Sequence, residues 1–121
     1  ARREGDAANC EVTPLVGDFA GHSQALEEGN QIYADETNGI IAKVGNAFQL
    51  IKESSDPLIN PDDLWMEDGA HSSYIGSYLA AAILFAEITN KTPAGAMSAD
   101  GLTSLETFYL QSVAAQIAGP F

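Results

Sequence analysis

The sequence predicts an α/β fold, rich in helix and carrying one or two short parallel strands. Three observations lead there. A helix-forming stretch ends at Asn38-Gly39, the apolar run Ile40-Ile41-Ala42-Lys43-Val44 follows at once, and a second helical stretch begins just past Gly45. Nearly unbroken apolarity suits a strand covered on both faces, as in parallel sheets. Helix, tight turn, strand and helix is the element order of α/β domains.

Residues 1–17 read as irregular, punctuated by Gly5, Asn9, Pro14 and Gly17, with Val12 to Val16 able to hold a short extended piece. Asp18 is an N-cap candidate for a helix over 19–37, whose stripe is Ala25, Leu26, Ile32 and Tyr33. Gly29 inside that helix costs about 1 kcal/mol relative to Ala. Asn46 is a cap candidate for the short helix running through Leu50-Ile51-Lys52, and residues 53–63 form a loop. Ser72 or Ser73 caps the strongest helix, about 73–89, which is apolar over more than half its circumference. Asn90 ends it and Pro93 prevents its resumption. Asp100 is expected to cap a last helix over about 101–118, with Leu102, Leu105, Tyr109, Val113 and Ile117 on one face.

Four helices around one strand leave a deficit. A lone buried strand has no partners for its N–H and C=O groups, at a cost on the order of 1–3 kcal/mol for each group left unpaired. Residues 1–121 are therefore expected to be a single partial domain, completed by strands from elsewhere or by a second copy. The polar opening without an initiator Met suits the same expectation.

Lys and Arg number 5 against 17 Asp and Glu, so the chain carries a net charge of −12. Nucleic acid and anionic membrane surfaces would repel it and are not expected as partners. The longest apolar run, Leu79 to Ala86, is about 12 Å long as a helix and cannot cross a hydrocarbon core of roughly 30 Å. Cys10 is the only cysteine, which excludes an internal disulfide framework and a Cys-rich zinc site. With no basic neighbour in its segment it reads as an inert thiol.

The sharpest chemical feature is Asp68-Gly69-Ala70-His71, in a glycine-containing loop ahead of the strongest helix. A carboxylate three residues before a histidine reaches its Nδ1–H when the backbone between them turns. That fixes the tautomer, leaves Nε2 to accept a proton and stabilises the imidazolium that results. His71 is the candidate catalytic base and Asp68 its orienter. The alternative is a turn carboxylate beside a helix entrance.

Other groups read more plainly. His22 and Ser23 read as polar side chains facing solvent, and Ser72 and Ser73 serve capping. Asp62, Asp63, Glu67 and Asp68 form a solvated acidic loop without the spacing of a calcium loop. Trp65 and Met66 anchor the base of the loop, with a substrate cleft as the alternative. Tyr74 and Tyr78 belong to the core, and Asn90-Lys91-Thr92 matches a glycosylation sequon. No metal site or cofactor is expected.

The segment Asp68-Gly69-Ala70-His71-Ser72-Ser73-Tyr74-Ile75-Gly76-Ser77-Tyr78-Leu79-Ala80-Ala81, running on to Pro93, resembles the last block of the SGNH (GDSL-type) serine hydrolases. Ile41-Ala42-Lys43-Val44-Gly45-Asn46-Ala47-Phe48 is similar to the strand and turn before that block, with Lys43 where relatives often have Pro. The resemblance spans most of residues 1–93. It implies a three-layer α/β/α, flavodoxin-like domain with parallel strands that hydrolyses a small ester or acetylated substrate without metal or organic cofactor. It gives His71 the role of base and Asp68 that of orienter. The family's Gly-Asp-Ser or Gly-Asn-Ser nucleophile block does not occur here; Gly17-Asp18-Phe19 and Gly29-Asn30-Gln31 begin like it and lack the Ser. The chain is thus expected to be the C-terminal half of such an enzyme and close to inert by itself. The alternative is a small acidic, mostly helical module that self-associates or binds a partner. Both readings expect a homo-oligomer, because four helices and an orphan strand leave apolar surface uncovered.

Overall fold

A computed structural model describes residues 18–121. The order is α1 (Phe19–Thr37), α2 (Val44–Glu53), a 3₁₀ turn (Pro61–Leu64), α3 (Tyr74–Thr89) and α4 (Ser104–Ala118). Residues 1–17, including Cys10 and the Val12–Val16 piece, lie outside the described residues.

The expected α/β architecture is overturned. Among the described residues there are four α-helices and no strand or sheet, so the three-layer flavodoxin-like arrangement does not form. Gly39–Lys43 is irregular, and Val44 is already the first residue of α2. The physical reason is the absence, among the described residues, of a second strand beside Ile40 and Ile41. Water satisfies backbone groups that no ladder reaches, and the Ile40 side chain is 79% exposed. Among the described residues the β-type pairing lies elsewhere, in an isolated antiparallel bridge between Trp65 and Ser72.

Local chemistry sets the helix ends. Asp18 caps α1 by accepting from the Gly21 N–H at 2.8 Å, and Ser73 caps α3 by accepting from the Gly76 N–H at 3.1 Å. Asn38 and Asn90 end α1 and α3 in the left-handed conformation, with φ of 55° and 52°. Two starts differ from expectation. Lys43, not Asn46, stands at the N-cap of α2 and makes no side-chain cap bond. α4 begins at Ser104 rather than near 101, because Thr103 and Glu106 close a capping box with bonds of 3.1 Å in both directions.

The core lies between α2, α3, α4 and the 3₁₀ turn. Ile51, Leu64, Leu79, Ile83 and Leu110 are completely buried there. α1 reaches it mainly through Phe19, whose ring meets Trp65 edge-on at 5.7 Å, while Phe48 meets the same indole at 5.1 Å. Leu26, Ile32 and Tyr33, the expected buried stripe of α1, are exposed. On α4 the expected face holds except at Leu105, which is exposed: Val113 is buried, Leu102, Tyr109 and Ile117 pack half-buried against the core, and Leu110, Gln111 and Ala114 join them. Gln111 is buried without penalty because its amide donates to Tyr78 Oη and to the Ala96 carbonyl, both at 2.9 Å, and accepts from the Gly95 N–H at 3.0 Å. These bonds fasten the α3–α4 connection to the helices it joins. No described helix is long and apolar enough to cross a membrane.

Candidate functional site

The site is built on the segment from Leu64 to Gly76. The Trp65–Ser72 bridge brings its two arms together, and the Met66 N–H donates to the His71 carbonyl at 2.8 Å. Between them the chain turns: the Gly69 N–H donates to the Met66 carbonyl at 2.9 Å, and Gly69 takes a φ of 66°. That conformation suits a residue without Cβ. The second arm is pinned where the Ser73 N–H donates to the Leu64 carbonyl at 3.0 Å and the Ser73 hydroxyl donates to the Asp63 carbonyl. Gly76 lets α3 approach this arm closely. A Cβ there would stand 2.2 Å from the Leu64 carbonyl oxygen and 3.0 Å from Phe48 Cζ.

On this frame Asp68 and His71 meet. The Asp68 carboxylate accepts from the backbone N–H groups of Ala70 and His71 at 2.9 and 3.0 Å through Oδ1, and its Oδ2 lies 2.5 Å from His71 Nδ1. An ionised carboxylate only accepts, so Nδ1 carries the proton and Nε2 is the nitrogen with a lone pair. The His71 N–H, the His71 ring and the Ala70 N–H, in that order of weight, hold the Asp68 carboxyl well below the usual carboxylate range. The imidazole side chain is 78% exposed. The arrangement can aim a basic imidazole nitrogen at a proton donor arriving from outside the loop.

A cleft of about 300 Å³ adjoins the loop. Its walls come from α1 (Ser23, Glu27, Asn30), the start of α2 (Lys43, Gly45, Asn46) and the loop itself (Trp65, Ala70, Ser72). His71 sits in sequence between two of these lining residues. Trp65 thus combines both roles considered for it, being buried in the core and forming part of the cleft wall, whereas Met66 is exposed and does not line it. Ser73 is committed to capping, and His22 is not among the lining residues. Among the described residues no three His, Cys, Asp or Glu side chains gather as metal ligands. Tyr74 is exposed rather than in the core, and Tyr78 is half-buried against Gln111.

Sequence spacing pairs Asp68 with His71, and Trp65 is a cleft candidate on sequence grounds, but the rest of the wall carries no local signal. The walls derive from separate segments, and nothing local in Ser23, Asn30 or Asn46 marks them as neighbours of the loop.

No family model, curated protein or solved structure matches this chain. The likeness to SGNH hydrolases rests on the motif residues alone.

Proposed function

We propose that Asp68 and His71 are the orienter and base of an SGNH-like serine hydrolase acting on a small ester or acetylated substrate. The observation that carries this is the 2.5 Å contact between Asp68 Oδ2 and Nδ1 of a largely exposed imidazole. In the reaction, Nε2 of His71 takes the proton of a serine hydroxyl as its oxygen attacks the ester carbonyl. The imidazolium then returns that proton to the departing alcohol, and a water repeats the cycle on the acyl-enzyme. The serine belongs to a segment beyond these 121 residues, since no Gly-Asp-Ser or Gly-Asn-Ser block occurs in them. The chain alone is close to inert on this reading, because loss of the nucleophile removes on the order of 10⁶-fold in kcat in a well-studied serine hydrolase.

The test is p-nitrophenyl acetate hydrolysis by this chain and by a longer form that supplies such a serine block. His71→Ala in the longer form is expected to remove nearly all activity, and Asp68→Ala about 10⁴-fold. Equal rates in the longer form with and without His71 would end the assignment.

A second reading is favoured by α3. Tyr74, Ala81, Leu84, Phe85 and Ile88 form an arc opposite its buried face, and Ile88 is 80% exposed. A helix apolar all round is normally covered on all sides. We therefore propose self-association through this arc, in a module that need not be catalytic. Analytical ultracentrifugation of the chain checks it, with Leu84→Lys and Ile88→Lys expected to return a dimer to monomer.

A further inference from the structure

We infer that Lys43 makes the cleft beside the Asp68–His71 loop a site for an ester that also carries a carboxylate. The ester part rests on the function proposed above; the carboxylate part rests on the cleft. Its volume of about 300 Å³ lies at the lower end of small-ligand pockets and suits a short acyl chain. Lys43 is the only cationic side chain on its wall among the described residues, and it makes no ion pair among them. The chain as a whole carries −12, but screening confines charge effects to about 8 Å at physiological salt, so the nearby groups decide.

Those nearby groups favour an anion. Lys43 occupies the N-cap of α2 without a side-chain cap bond and lines the cleft with Gly45 and Asn46 of the first turn, so the positive end of that helix borders it. The opposing charge on the wall is Glu27, and Asn46 Nδ2 donates to its Oε2 at 3.4 Å. Ser23 adds a second unmet demand. Its Oγ is buried and has no hydrogen-bond partner among the described residues. A carboxylate held by Lys43 would leave the rest of a short ester to lie along the wall formed by Trp65, Ala70 and Ser72.

The experiment is an NMR titration of the chain, following the amides of Gly45, Asn46 and Ser72, with monoethyl succinate and with ethyl pentanoate as a neutral analogue of similar length. The anionic ester is expected to shift these amides saturably and to bind roughly threefold or more tightly than the neutral one, the effect of one exposed charge pair. Lys43→Met should abolish that preference and Glu27→Gln should enlarge it. His71→Ala should leave it intact, which separates this inference from the role of His71 in catalysis. Equal binding of both esters, a preference that survives Lys43→Met, or no saturable shift with monoethyl succinate would each overturn it.

Discussion

Residues 39–43 and residues 64–76 begin from similar material and end differently. Each holds a short apolar piece beside a glycine turn, and each borders the same cleft. The second closes on itself through the Trp65–Ser72 bridge, the Met66–His71 bond and the Ser73–Leu64 bond. Among the described residues the first has no such return arm; Val44 N–H to Ala42 O, at 2.8 Å, is a turn contact rather than a ladder. An extended backbone is stable where its polar groups find partners, and apolar side chains alone do not supply them.

Substitutions in the two segments should therefore differ sharply. Trp65→Ala removes the indole against which both Phe19 and Phe48 pack, and is expected to cost about 3–5 kcal/mol in urea denaturation. Gly76→Ala forces a methyl group against the Leu64 carbonyl and should cost about 1–3 kcal/mol or more, in spite of the better helix propensity of Ala. A stability loss near zero for Gly76→Ala would show that the loop and α3 are not in close contact.

Asp68→Ala should have a smaller effect whose pH dependence is its signature. The folded carboxyl titrates below its ordinary value of 3.8, so its contribution is complete above that value and is lost as pH falls through the lowered range. The difference between wild type and Asp68→Ala is expected to be constant from pH 5 to 7 and to shrink on acidification below about pH 4. A gap that stays constant down to pH 2 would mean the loop does not depend on the ionised group. Smallest of all, Ile40→Ser should change stability by no more than about 0.5 kcal/mol, because that side chain already faces solvent. A larger loss would reveal that something covers residue 40 in solution.

What could be read in advance was whatever is decided within a few residues. Asp18, Asn38, Ser73 and Asn90 end their helices through bonds or backbone conformations that their own side chains favour, and Asp68 meets His71 across a three-residue turn. The capping box at Thr103 and Glu106 was equally legible as a Thr-x-x-Glu spacing, and Asp100 drew the start of α4 too early. The strand failed because pairing is a property of two segments, and Ile40-Ile41 displays only one. The face of α1, and Leu105 on α4, failed for a related reason. Apolar residues lie on more than one side of these helices, so periodicity alone could not separate Leu105, which faces water, from Leu110, which does not. The cleft depends on how α1, α2 and the loop converge, and no local pattern encodes that.

The carboxylate of Asp68 binds two backbone amides as well as the ring. The imidazole is consequently oriented by the same three bonds that shape its loop, and its alignment needs no incoming molecule to impose it. The conformational freedom that a mobile histidine would surrender during each encounter has here been given up once, when the loop formed.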